Sequence, residues 1–260
     1  MDSLLLMTSL DETIAAALDL ARAARWQMAL RLLDAVQPVG ESDRRRMAVA
    51  AVEVALESDW FAGTALTAGR LAGADREGAA EGPGGSGWDL EFLRLRHDYL
   101  RQVTGAGGQE PRLRERAGEL AQKAPDAVRR GWARMYLGLI TDNVFGEREA
   151  APAHYAAALD AGDDLLTREA LRHLGDHDRE RGDLVSARAR WERATELGAR
   201  HGLVCGTLSQ QMLLAELARE TGDEAGAVRL ATEIARWADA IGASRLTDQA
   251  RTFLANDSVV

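Results

Sequence analysis

The sequence predicts an all-α protein, and two observations support this fold class. Ala, Leu, Arg and Glu are abundant and have high helix propensity, whereas aromatic residues make up only 5% of the chain. Apolar residues recur with helical periodicity almost from end to end, and neither alternating apolar runs nor Asn-Gly hairpin turns interrupt them. We therefore expect helices joined by short turns and no β-sheet.

The helix boundaries are predicted from short breaks rich in Gly, Asp and Pro, because these residues end helices or begin them. The breaks are short enough to make consecutive helices antiparallel neighbours, so the chain is expected to form helical hairpins within one domain spanning 1–260. The predicted helices are 12–25, 26–36, 43–57, 60–71, 89–103, 111–123, 127–143, 147–161, 165–181, 184–200, 203–221, 224–241 and 244–254.

One longer interruption, 75–87, contains too many glycines to remain helical and too few apolar residues to pack, so it is predicted to be a flexible loop. We expect limited proteolysis of the native protein to cut first within 75–87, as mapped by mass spectrometry of the early fragments. Cleavage there no faster than within the helices would mean that this segment packs, for example as a lid.

Turn residues recur at a regular spacing in the second half of the chain. The pairs Gly146-Glu147, Gly182-Asp183 and Gly222-Asp223 lie 36 and 40 residues apart. Small or apolar residues follow each pair at three successive positions of the next helix. These are Ala151, Ala187 and Ala227, then Tyr155, Trp191 and Ala231, then Ala158, Ala194 and Ile234. A period of this length indicates a repeat protein.

The pattern resembles the tetratricopeptide repeat (TPR) family, most clearly over 132–242. The resemblance implies a right-handed α-solenoid of stacked antiparallel helical hairpins, in which first helices line a concave groove and second helices form the convex back. It also implies a capping helix at the end of the stack, and 244–254 fits that role.

Composition and charge argue against several classes of function. A net charge of −9 argues against nucleic-acid binding, which needs a basic surface, and no apolar run is long enough for a membrane span. The single cysteine, Cys205, cannot form an intrachain disulfide and is expected to be a small buried apolar residue, consistent with a cytoplasmic location. No phosphate-binding glycine loop, nucleophile motif or established metal motif occurs, so no cofactor or metal is predicted.

The most distinctive stretch is 169–182, which is predicted to be part of a first helix. On a helical wheel, Glu169, His173, Asp176 and Glu180 form a narrow stripe opposite the packing side. Arg172, His177 and Arg179 flank it. The stripe is either a solvated surface or part of the groove, and its acidic character would suit a basic or amide-rich ligand. Asp178 falls on the apolar side instead, where it is expected to pair with an arginine.

The same geometry gives further candidates for the groove, which comprise an aromatic residue, amides, a carboxylate and an apolar side chain. They are Tyr136, Asn143, Gln210, Gln211, Met212 and Glu216. We interpret the protein as a binding protein whose groove holds a peptide segment of a partner or a compact polar ligand.

An enzyme built in the same groove is the alternative. His173 or His177 would act as a general base and Asp176 would orient it, since a histidine beside a carboxylate is the minimum for such chemistry. The two histidines also have the i, i+4 spacing of a helical metal site, but a pair at this spacing is common by chance. The sequence does not predict the oligomeric state.

Overall fold

The computed structural model describes residues 9–38, 40–78, 86–107 and 111–256, and these residues form thirteen α-helices without a strand. The predicted all-α class is therefore confirmed. The helices are α1 (Leu10–Arg22), α2 (Trp26–Ala35), α3 (Glu41–Ala62), α4 (Thr67–Arg76), α5 (Ser86–Val103), α6 (Leu113–Lys123), α7 (Ala127–Asn143), α8 (Ala151–Leu159), α9 (Asp164–Glu180), α10 (Leu184–Arg200), α11 (Val204–Glu220), α12 (Glu224–Ile241) and α13 (Ser244–Ala255). None of these helices is both long and apolar enough to cross a membrane.

Consecutive helices pack as hairpins that stack into an α-solenoid. The hairpins α7–α8 and α9–α10 cross closely because a glycine on the first helix faces an aromatic residue on the second. A Cβ atom at Gly175 would lie 2.4 Å from Nε1 of Trp191, and one at Gly138 would lie 2.6 Å from Cε1 of Tyr155. Both aromatic side chains are fully buried. The small and large positions of the repeat are therefore complementary halves of one contact.

The glycines that mark the repeats adopt the left-handed conformation that only glycine takes readily. Gly182 has φ = 79° and Gly222 has φ = 88°, and each follows the C-cap residue of a first helix. The following aspartates, Asp183 and Asp223, accept hydrogen bonds from backbone N–H groups of the next helix. At the third site the helix begins later than predicted, at Ala151 rather than at 147.

The boundary between α3 and α4 differs from the prediction of a break near residue 58. The helix continues to Ala62 because Asp59 bonds to the segment after α3 and does not interrupt the helix. Its carboxylate accepts hydrogen bonds from the backbone N–H groups of Leu66 at 2.8 Å and Thr67 at 2.9 Å, at the start of α4. Burial alone would raise the pKa of Asp59, but the hydrogen bond from the Thr64 hydroxyl, together with those from residues 66 and 67, outweighs it and lowers the pKa. Trp60 consequently lies in the last turn of α3.

The two ends of the solenoid meet. One apolar cluster combines residues of α1, α2 and α3 with residues of α11, α12 and α13. The hydroxyl of Ser244 donates to the carbonyl of Ala62 at 2.9 Å. The segment 244–254, predicted as a cap, thus forms α13 and packs against both α12 and α3.

The predicted loop 75–87 is shorter than expected at both edges. Asp75 and Arg76 belong to the last turn of α4, and Ser86 and Gly87 begin α5. Residues 79–85 lie outside the described residues, so the loop itself stays a prediction.

Candidate functional site

A cavity of about 1250 Å³ is lined by alternate helices of the stack. The helices α1, α3, α5, α7, α9 and α11 each contribute side chains, as does the first residue of α2. The candidate site is this cavity, since it gathers surfaces from both halves of the chain.

Aromatic residues are concentrated in the cavity. Eight of the thirteen Trp, Tyr and Phe residues of the chain line it. Five of them form a continuous series of ring contacts with centroid separations of 5.0 to 6.1 Å, which we call the aromatic wall. Its members, in order of contact, are Trp88, Phe92, Tyr136, Tyr99 and Trp60.

A partly buried arginine, Arg96, contacts the centre of the aromatic wall. Its Nε donates to the hydroxyl of Tyr136 at 3.1 Å, and its Nη2 donates to Glu57 at 3.3 Å. The guanidinium lies 5.8 Å from the centroid of the Tyr136 ring. Burial raises the pKa of Glu57, and the charge of Arg96 opposes that rise only in part. The pair links α3, α5 and α7 across the cavity.

Four residues of the predicted stripe region line the cavity, as does Arg168 on the same helix. Arg168 pairs with Glu169, and its Nη2 donates to the carbonyl of Gly206 on α11 at 2.8 Å. Burial alone would raise the pKa of Glu169, but the charge of Arg168 and the neighbouring imidazole lower it below its usual value. The four predicted residues are Glu169, Arg172, His173 and Asp176.

His173 is buried, although its position on the wheel had indicated an exposed groove residue. Its ring stacks on Tyr155 with centroids 5.2 Å apart. Of its two ring nitrogens, Nε2 lies 3.1 Å from Arg172 Nη1, whereas Nδ1 lies on the side of Asp176. Asp176 is 3.5 Å from that Nδ1, longer than a normal hydrogen bond.

The acidic stripe carries less excess negative charge than the sequence suggests. Two of its three carboxylates pair with an arginine, whereas Asp176 faces only the imidazole of His173. The contacts are Glu169 with Arg168, Asp176 with His173, and Glu180 with Arg148.

His177, the other candidate base, does not line the cavity. Its Nε2 donates to the carboxylate of Asp142 at 2.9 Å, which turns the ring towards α7. Asp142 also accepts hydrogen bonds from the hydroxyl of Tyr155 at 3.0 Å and from Arg148 at 2.8 Å. The three buried side chains His177, Asp142 and Tyr155 therefore form a network that holds α7, α8 and α9 together.

The remaining predicted residues fall into two groups. Tyr136 and Asn143 line the cavity, and Asn143 Nδ2 donates to the Tyr99 hydroxyl at 2.8 Å. Five others do not line it: Arg179, Gln210, Gln211, Met212 and Glu216.

The physical reason is that only the first two turns of α11 reach the cavity. Beyond them, Met212 packs in the apolar cluster where the chain ends meet, and Gln210 is fully buried. Gln211 lines a separate apolar cavity of about 460 Å³. Arg179 and Glu216 form an ion pair with each other at 3.0 Å.

Two predictions about buried residues are confirmed. Asp178 is buried and pairs with Arg181 and with Arg190, whose Nε lies 2.5 Å away. Cys205 is buried at the cavity surface, where burial raises the pKa of its thiol to about 12. Within the described ranges, no group of three or more His, Cys, Asp or Glu side chains is arranged to hold a metal ion.

Sequence reasoning missed most of the aromatic wall. A signal was present in α5, where Trp88, Phe92 and Tyr99 fall on one face of the helix. The contribution of Trp60 could not be seen, because the break expected before it assigned this residue to a different helix.

No family model and no curated protein matches the chain. Among solved structures, the chain is similar to that of a Rap protein complexed with competence and sporulation factor. The TM-score is 0.51 at 12% sequence identity, over 93% of this chain and 80% of the Rap chain. This likeness supports a TPR-like repeat fold and, at that identity, extends to the fold alone.

Proposed function

We propose that this protein is a TPR-like binding protein whose cavity holds a short peptide. The observation that carries the proposal is the size and composition of the cavity. At about 1250 Å³ it exceeds the roughly 300–1,000 Å³ of pockets that hold single small molecules. Its aromatic surface suits peptide side chains, because aromatic residues supply large contact areas at binding sites. A peptide segment therefore fits better than a compact polar ligand.

The fold comparison adds support. A Rap protein with a similar course of helices is complexed with competence and sporulation factor. Repeat stacks of this kind provide extended concave surfaces for binding. We infer that the ligand of this chain lies along the inner faces of α3, α5, α7 and α9.

The geometry favours binding over acid–base catalysis at His173. The ring is stacked on Tyr155, and its Nε2 faces Arg172 and Glu169 at 3.1 and 3.5 Å. Neither ring nitrogen projects alone into the cavity, as a general base that acts on a substrate would need to do.

We expect Ser209→Trp to abolish binding of peptides selected from a random phage-displayed library on the wild-type protein. Ser209 lines the cavity on α11, so an indole there would occupy the space of the ligand. Isothermal titration calorimetry with the selected peptides measures the loss, and circular dichroism checks that the variant folds.

Val185→Trp is the matched control, because Val185 is 81% exposed and lies outside the cavity. It should leave peptide affinity unchanged. Peptides that bind wild type and Ser209→Trp equally well, or a library that yields no binder at all, would contradict the proposal.

A further inference from the structure

The part of the cavity lined by α3, α5 and α7, which we call its aromatic end, contains no arginine without a carboxylate partner. Arg96 is bonded to Glu57, and Arg129 is bonded to Asp89 and Asp126 at 2.6 Å each. Paired charges of this kind offer a ligand little net attraction. A ligand at this end therefore meets mainly the surfaces of aromatic rings.

Three tryptophans from successive first helices supply that surface. Trp60 on α3, Trp88 on α5 and Trp132 on α7 line the cavity and remain partly exposed within it. They pack on the buried rings of the same apolar cluster. These buried rings fix the tryptophans in place. An apolar side chain of a ligand that covers their exposed surface removes it from water, which makes binding more favourable.

Arg172, on α9, differs from the other arginines of the cavity. Within the described part of the chain, its side chain is in ion-pair contact with no carboxylate, and its hydrogen bond goes to the ring nitrogen of His173. A guanidinium has five N–H donors, so most of those of Arg172 are available to a ligand. Each of the other cavity arginines faces a carboxylate: Arg22 with Asp19, Arg96 with Glu57, Arg129 with Asp89, Arg148 with Asp142, and Arg168 with Glu169.

Arg172 lines the same cavity as the aromatic wall. Burial raises the pKa of the Tyr99 phenol, and the positive charge of Arg172 is among the influences that oppose this rise. Tyr99 in turn stacks on Trp60 with centroids 6.1 Å apart. Because Arg172 and the three tryptophans line one cavity, the cation and the exposed rings can contact the same ligand.

We infer that the ligand is a peptide in which an aromatic or large apolar side chain stands next to an anionic group. The side chain packs against the tryptophans of the aromatic end, and the anion pairs with Arg172. This inference rests on the proposed function and specifies which peptides the cavity selects.

A cationic ligand is the competing possibility, because Glu53 lines the cavity near Glu57. Among the described residues, Glu53 has no ion pair of its own. It shares the charge of Arg96 with Glu57, however, whereas Glu169, the acid on which the charge of Arg172 acts, already pairs with Arg168. The distribution of paired and unpaired charges therefore favours an anionic ligand over a cationic one. The experiment below distinguishes the two kinds of ligand.

The test uses three aromatic dyes of different charge and measures their fluorescence on titration with the folded protein. Anilinonaphthalene sulfonate is anionic, N-phenyl-1-naphthylamine is its neutral counterpart, and thioflavin T is cationic. We expect the anionic dye to bind most tightly. Arg172→Gln should lower the affinity for the anionic dye about tenfold, as for loss of a charged hydrogen bond, and should leave the affinity for the neutral dye unchanged. Arg172→Lys should restore most of the affinity.

Trp132→Leu should weaken the anionic and neutral dyes alike, since it removes ring surface and no charge. Trp237→Leu and Arg193→Gln are the controls, because both residues are exposed and lie outside the cavity. Circular dichroism confirms folding of each variant, and Trp132→Phe replaces Trp132→Leu if the latter unfolds.

Tighter binding of thioflavin T, or an equal effect of Arg172→Gln on the charged and neutral dyes, would overturn the inference. Loss of dye binding in Trp237→Leu would overturn it as well, because it would place the dye in the separate apolar cavity that Trp237 lines with Gln211. Ser209→Trp distinguishes the two proposals. If it blocks selected peptides while Arg172→Gln shows no charge effect, the inference fails and the peptide site stands.

Discussion

Trp191→Ala is expected to lower the free energy of unfolding by about 3–5 kcal/mol, as for other large-to-small changes at fully buried aromatic residues. Trp191 is fully buried between α9 and α10, where its ring covers Gly175. Its Nε1 also donates to the carbonyl of Arg172 at 2.9 Å. The substitution therefore leaves a cavity and removes a hydrogen bond at the same time. Urea denaturation followed by circular dichroism measures the loss.

Trp237→Ala provides the matched control. This tryptophan occupies the second helix of the next hairpin but is 55% exposed, so its removal should cost less than about 1 kcal/mol. Equal losses for the two tryptophans would show that the hairpins do not pack through the small and large positions of the repeat.

Glycine substitutions test the same contact from its other side. Gly175→Ala should destabilise the wild-type protein by about 1–3 kcal/mol, because the added methyl group meets Trp191. In the Trp191→Ala background the same change should cost much less, since the clash is gone. Gly118→Ala on α6, where an added Cβ meets nothing within 4 Å, should be neutral or stabilising.

The repeat was predictable from sequence because its contacts are local. Gly175 and Trp191 lie in one hairpin, and the intervening turn at Gly182 needs a left-handed residue, so composition and spacing reveal all three. Asp59 shows the limit of such reasoning. An aspartate before an apolar run indicates a new helix, yet here it caps the start of α4 from within the last turns of α3.

The site was predictable only in part. Periodicity placed His173 and Asp176 on the face that lines the cavity, because that inference needs one helix alone. Their charge environment could not be inferred in the same way. Arg148, which pairs with Glu180, comes from the turn before α8, and the interaction depends on how hairpins stack. The apolar cluster that contains Met212, together with the packing of α13 on α3, likewise joins segments far apart in sequence.

Two buried aspartates, Asp142 and Asp178, differ in how deeply their hydrogen-bond partners are buried. Their exposures are almost equal, at 6% and 4%. Asp142 receives hydrogen bonds from Tyr155 and His177, which are themselves buried, whereas Asp178 faces two arginines whose side chains are 61% and 35% exposed. Removing the two carboxylates should therefore have different effects on stability, because only the partners of Asp142 would remain buried without an acceptor.

Asp142→Ala is expected to lower the free energy of unfolding by about 3–5 kcal/mol, because it leaves the buried hydroxyl of Tyr155 and the N–H of His177 without an acceptor. Asp178→Ala should cost less than about 1 kcal/mol, since its arginine partners can turn to water. Asp142→Asn should fall between wild type and Asp142→Ala, as the amide oxygen still accepts. Urea denaturation of the three variants measures these differences. Equal losses for Asp142→Ala and Asp178→Ala would mean that the network between α7, α8 and α9 contributes no more to stability than the ion pairs of Asp178 do.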